Sequence, residues 1–319
     1  MIKEENTFLS NDCKTKIHYI KWMPDSKEYK GIIQLVHGMI EYIGRYEDFA
    51  GFLVENGYMV VGHDHLGHGE SVLDEDCFGY FSKKNPSDIL VQDIHKLRKI
   101  TQKDNEGVPY FIFGHSMGSY LLRKYLAFYS KGLSGAIICG TGYSPRIRNE
   151  VAVSFVKILK KFKGDKYISN LVENLMHDKP YRKFDLSGKD TSNSWITRDE
   201  NIVRLSNSDK YCSFKFTLNG YQGLFEAVLF SCKQKNVDRI DKDLPVLIIS
   251  GDDDPVGNLG KGVKKVYSMF KKSGKTDLKV KLYQGYRPLI RCMICKYFLP
   301  FGRLPSHFVN DFLCYAETF

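Results

Sequence analysis

Gly114-His115-Ser116-Met117-Gly118 sets a serine between two glycines, each two residues away. A serine hydroxyl becomes an ester-attacking nucleophile when its backbone is bent into a sharp strand-to-helix turn, and glycines at those offsets remove the Cβ atoms that would collide there. The run before it, 109–113, is apolar, and the run after it, 116–129, carries Leu121, Tyr125 and Phe128 at helical spacing, so the sequence predicts that turn. Acyl transfer at such a serine passes through a tetrahedral oxyanion, which needs two N–H donors. Met117, directly after the serine, is the first; Met39, in His37-Gly38-Met39 at the end of the apolar run 31–36, is the second. A carboxylate that orients an imidazole is expected after a later strand, and the three acids of Gly251-Asp252-Asp253-Asp254-Pro255-Val256 follow the apolar run 244–250. Read without that context, three acids before a proline are a polar loop.

His63-Asp64-His65-Leu66-Gly67-His68 invites a metal reading, since a di-zinc hydrolase pattern HxHxDH is close to it. Gly67 stands where that pattern needs an aspartate, so the expectation is a structured turn with hydrogen-bonded histidines and no metal. Eight cysteines are scattered, and the lone CxxC of Cys292 and Cys295 has no second pair and no histidine at zinc-finger spacing; reduced thiols are expected. No cofactor is implied.

These residues must be held by something. Among 319 residues, 43% are apolar, with 27 Gly and 10 Pro, which excludes long disorder, collagen-like repeats and a disulfide-stapled mini-fold. The first half alternates β-rich and helical runs: a hairpin of 7–10 with 16–22, a strand at 31–36, a helix at 45–56, a strand at 58–61, a helix at 87–102, then the serine turn and a strand at 133–139. Such alternation predicts a mostly parallel sheet covered by helices. The rhythm breaks at Pro145; from there to Asn236 the chain is charge-rich and helical, basic near its start, and reads as an insertion over the sheet. Alternation resumes with strands at 244–250 and 278–283 around a helix at 260–272. Lys and Arg total 47 against 37 Asp and Glu, a net charge of +10. No nucleic-acid signature accompanies that balance, so the expectation is a plain solvated basic surface, with transient contact with an anionic membrane surface as the further option. The opening residues lack the apolar run of a secretory signal and no run reaches the ~18 residues of a membrane span, which predicts a cytoplasmic protein of unspecified oligomeric state.

Together, Val36-His37-Gly38-Met39, Glu41, Arg45-Tyr46, Phe49-Ala50, Asp64, Gly67-His68-Gly69-Glu70-Ser71, the serine pentapeptide and Gly251 through Val256 resemble the monoacylglycerol lipase/lysophospholipase group of the α/β-hydrolase superfamily. In the insertion, 194–199 and 214–217 look like the cap of bacterial members. The resemblance runs from about residue 7 to 287. It implies an α/β-hydrolase fold with core segments 1–144 and 237–287, a helical cap at 145–236 and an atypical tail at 288–319. It implies Ser116 as nucleophile, Asp254 as triad acid, Met39 and Met117 at the oxyanion hole, no metal, and an acyl ester or lipid as the small-molecule partner. The expected activity is serine carboxylester hydrolysis of single-chain acyl lipids, with a peptidase of the same superfamily as a further option.

The sequence departs from that group at one place. Members continue Gly-x-Arg-His after the last strand, the histidine being the general base; here the run is Gly285-Tyr286-Arg287-Pro288. Proline cannot accept a proton. The alternative is therefore an impaired or inactive remnant that only binds acyl ligands. From 288 on the chain holds three Cys and seven Phe or Tyr but only Asp311 and Glu317 as acids, unlike the acid-rich final helix of the group, which points to a replaced C-terminus arising from a frame change or fusion. An uninterrupted reading frame in independent isolates would sink that idea. His307 is the sole histidine downstream of Asp254.

Overall fold

The computed structural model describes residues 1–288 apart from 27 and 178. The reading of His307, of Cys292 and Cys295, and of the tail falls outside the described residues.

Eight strands form one sheet in the order β1-β2-β4-β3-β5-β6-β7-β8. β1 (Ile2–Leu9) and β2 (Lys16–Met23) are the antiparallel edge. β3 (Gly31–Val36), β4 (Tyr58–His63), β5 (Tyr110–His115), β6 (Gly135–Cys139), β7 (Val246–Gly251) and β8 (Leu278–Tyr283) run parallel. Every residue of β3 to β7 is buried, as strands covered on both faces must be.

The two-residue period of each strand divides its side chains between two cores. Ile32, Val36, Ile112, Ile138 and Ile248 face one side, where α2 (Pro86–Lys103), α3 (Met117–Tyr129) and α9 (Lys261–Lys272) pack. Ile33, Leu35, Phe113, Ile137 and Ile249 face the other, under Phe49, Phe52 and Leu53 of α1 (Glu47–Glu55). Between β6 and β7 lie α4 (Arg146–Lys163), α5 (Asn170–Met176), α6 (Glu200–Ser208), α7 (Leu218–Ser231) and α8 (Gln234–Val237), with no strand among the described residues. The break expected at Pro145 is therefore the residue before α4.

Several boundaries differ from expectation, among them the start of β7 at Val246 rather than 244 and the end of β4 at His63 rather than 61. β1 begins at Ile2, five residues early, because its exposed Lys3, Glu4, Glu5 and Asn6 pair with β2 without any apolar alternation to announce them. The helix expected at 45–56 is a 3₁₀ turn over Ile43–Tyr46 followed by α1; the Ile43 N–H is drawn to Asp64 Oδ1 at 2.7 Å. The strand expected from residue 133 starts at Gly135.

Candidate active site

Parallel strands bring their carboxyl ends to one edge, so the loops after β3, β5, β7 and β8 converge. Register fixes how. Val36 lies opposite Gly114, and His115 opposite Cys139, so His37-Gly38-Met39 runs beside the start of the serine turn. Ser116 has φ 49° and ψ −118°, a left-handed strain for a residue with a Cβ, and its N–H is tied to the Cys139 carbonyl at 3.0 Å. It is only partly buried, whereas its neighbours in β5 and α3 are covered.

Two close approaches hold this turn. A Cβ on Gly118 would lie 2.1 Å from the Val36 carbonyl oxygen and 2.5 Å from that of His37. A Cβ on Gly38 would lie 3.2 Å from the Cβ of Ser116. The first turn of α3 and the loop after β3 are thus pressed together at the serine. Among the described residues, neither the Met39 nor the Met117 N–H has an acceptor. Both residues named from the sequence as oxyanion donors thus have amides with no acceptor among the described residues, and Met39 follows the Gly38 that packs against Ser116.

Asp254 is fully buried after β7, while Asp252 and Asp253 are not. It accepts from Ser250 Oγ at 2.9 Å and from the Val256 N–H at 2.8 Å. Burial pushes its carboxyl up to about 6, against the pull of these donors and of His115. None of its hydrogen-bond partners among the described residues is an imidazole. Pro288 is buried, and its carbonyl oxygen lies 3.1 Å from His115 Nε2. The chain reaches that point under restraint: Tyr286 O accepts from the Asp253 N–H at 3.1 Å, and the Arg287 guanidinium donates to the Ser194 and Thr197 carbonyls of the inserted segment.

The histidine-rich turn laces two loops. The His65 N–H donates to His37 Nε2 at 2.9 Å, which leaves Nδ1–H of that ring to donate to the Gly38 carbonyl at 2.8 Å. His68 Nδ1 donates to the Leu66 carbonyl, and its Nε2 accepts from the Ile40 N–H at 3.4 Å. Both rings work as neutral imidazoles. Burial depresses His37 and His65 and takes His63 and His68 down to about 3. The expectation of hydrogen-bonded histidines holds for these rings but not for His63, whose two nitrogens have no partner. No group of three or more metal-ligating side chains occurs among the described residues.

Sequence reasoning assigned no role to Glu41, Tyr46 or His115, although all three lie in the segments that carried the resemblance. They form one buried cluster behind Ser116. Only a three-dimensional contact between residues 74 apart reveals it.

The family model described as "Hydrolase_4: Serine aminopeptidase, S33" matches residues 27–287. A monoglyceride lipase of Rattus norvegicus is 26% identical over 270 residues, covering 83% of this chain and 77% of that protein. A monoacylglycerol lipase of Mycolicibacterium smegmatis is 30% identical over 162 residues, 49% of this chain and 54% of that protein. Among solved structures, a thermostable carboxyl esterase from Bacillus coagulans aligns with a TM-score of 0.84 and 29% identity, covering 98% of this chain and 99% of the other. The monoglyceride lipase of Saccharomyces cerevisiae, at 21% identity and a TM-score of 0.69, shares the fold. With a serine turn, a converging loop and a buried acid at one sheet edge, the chain belongs to the serine aminopeptidase (S33) family and is a monoacylglycerol lipase-like α/β-hydrolase.

Proposed function

We propose that this chain attacks the carboxylic ester of single-chain acyl lipids such as monoacylglycerols or lysophospholipids, forming an acyl-enzyme on Ser116. The observation that carries this reading is the strained Ser116 together with the Met39 and Met117 amides, which have no acceptor among the described residues. Ser116 Oγ adds to the carbonyl carbon, and the two N–H groups receive the negative oxygen; each such donor is worth about 2.7–4 kcal/mol in the transition state. The alcohol then leaves with a proton and water releases the acyl group. The helices at 145–236 serve as the cap over the acyl chain.

A second reading is favoured by Pro288 and by the fact that, among the described residues, no imidazole bonds to Asp254. Without a base the hydroxyl is a weak nucleophile near neutral pH. On this reading the pocket binds acyl ligands and turns them over feebly. A fluorophosphonate probe with a p-nitrophenyl ester assay separates the two. Labelling that vanishes in Ser116→Ala, with ester hydrolysis above background, supports the enzyme; no labelling and no turnover supports the remnant. Glycerol esters, lysolipids and aminoacyl amides then rank the substrates.

Access to lipid follows from α4. Ile147, Val151, Ile158 and Phe162 fall on one stripe of this helix, opposite the buried Val153 and Val156, and Ile147 and Phe162 are 77% and 80% exposed. The same helix holds six Lys or Arg against one acid, Glu150. An apolar stripe edged with positive charge suits an anionic bilayer surface. Wild-type protein should co-sediment with phosphatidylcholine/phosphatidylglycerol vesicles, and Phe162→Glu should weaken that about tenfold or more, since burying such a ring is worth about 1.5–3 kcal/mol. Wild-type protein left in the supernatant would remove this surface from the proposal.

A further inference from the structure

One carboxylate oxygen joins the segments on which the proposed chemistry depends. Glu41 is buried, its side chain 5% exposed. Its Oε1 accepts from the Gly38 N–H and from the Tyr46 hydroxyl at 2.9 Å, and meets His115 Nδ1 at 3.0 Å. The other nitrogen of that ring, Nε2, lies 3.1 Å from the carbonyl oxygen of Pro288, an atom that only accepts, so Nε2 carries a proton and donates it. The chain of contacts therefore runs from the loop after β3, through Glu41 and His115, to the segment after β8. Gly38 immediately precedes Met39, and His115 immediately precedes Ser116. A Cβ at Gly38 would stand 2.6 Å from Glu41 Oε1, so the loop and the carboxylate are in their closest permissible approach.

We infer that Glu41 is a positioning residue for the oxyanion site: through Gly38 it fixes the peptide that presents the Met39 N–H, and through His115 it sets that peptide's distance from Ser116. The inference rests on the reading of Met39 and Ser116 given above. The physical reason is that the six-residue loop 37–42 has many backbone states, and an oxyanion donor helps only if it is in place before charge develops. A buried carboxylate accepting from the Gly38 amide selects one of those states, because the alternative leaves that N–H without a partner and the carboxylate with one donor fewer. A displacement of about 1 Å at such a site is enough to cost about 10²-fold in rate.

The test uses the full chain with Glu41→Leu, which fills the space without an acceptor, and Glu41→Gln, whose side-chain oxygen still accepts from Gly38. Two readouts are taken: the phosphonylation rate of Ser116 by a fluorophosphonate at saturating probe, and amide hydrogen exchange in the peptides covering 37–42 and 115–120. In Glu41→Leu, exchange in 37–42 rises at least about tenfold while most of the sheet keeps its protection, and phosphonylation slows by about 10²-fold with probe affinity unchanged. In Glu41→Gln both stay within about threefold of wild type, a rescue that a requirement for the charge itself would not give. Should Glu41→Leu not fold, Tyr46→Phe removes one donor to the same oxygen and raises exchange in 37–42 severalfold. Unchanged exchange in 37–42, exchange raised evenly over the whole chain, or a loosened loop with unchanged phosphonylation each overturns the inference. If wild-type Ser116 takes no label, the nucleophile reading fails by itself, and the exchange measurement still decides whether Glu41 holds the loop.

Discussion

Pro288→His raises ester turnover by about 10³-fold or more over the parent chain. In a related serine triad, loss of the histidine costs about 10⁶ in kcat, so even an imidazole placed with about 1 Å of error, costing about 10²-fold, recovers most of that range. The position suits the change. Its carbonyl, not its side chain, is what His115 holds, and that bond survives any substitution. Asp254 is already buried and fixed by Ser250 and the Val256 amide, with its carboxyl near 6. A neighbouring imidazolium favours the ionised carboxylate, and the new activity should climb with pH as the free imidazole forms. The substitution also introduces an N–H at a buried site, which costs about 1–3 kcal/mol if it finds no acceptor, so thermal unfolding of the variant is measured alongside. A folded variant with no gain in turnover would place the base elsewhere, and His307→Ala would then be the next measurement.

Gly118→Ala has the largest effect in the opposite direction. The added methyl would meet the carbonyl oxygens of Val36 and His37 at 2.1 and 2.5 Å, and both are backbone atoms that cannot swing aside. Relief requires α3 to lift from the end of β3, which parts Ser116 from the loop bearing Met39. Overpacking of a well-filled interior costs about 1–3 kcal/mol, and a clash with main chain belongs at or beyond the top of that range. We expect Tm to fall by at least about 5 °C and phosphonylation of Ser116 to drop by about 10²-fold. A variant that melts and labels like the parent would show that the turn does not depend on this contact.

What could be read from the chain depended on whether the signal was local. The serine turn was legible because its constraint is local: a positive φ at Ser116 and glycines at fixed offsets. β3 to β7 were legible for a similar reason, as short apolar runs ending at glycine or histidine. The polar edge strand β1 was read five residues short, since its hydrogen bonds to β2 leave no trace in side-chain pattern. Three adjacent acids could not show which one is buried; position after a late strand marked the run, the family resemblance pointed to Asp254, and burial distinguishes it from Asp252 and Asp253. The Glu41, Tyr46 and His115 cluster was invisible because each residue, alone, is an ordinary loop or strand-end residue. Likewise, a histidine-rich turn looks much the same in sequence whether its rings bind a cation or, as His37 and His68 do, accept backbone amides.

His115 grips the chain at position 288 by an oxygen that all twenty amino acids possess. Nothing in that grip inspects the residue's identity. On the proposed reading, a fold built this way gives up a proton shuttle at position 288, or regains one, through one codon while the backbone grip of His115 stays as it is. On that reading, ligand capture and turnover are separately heritable traits.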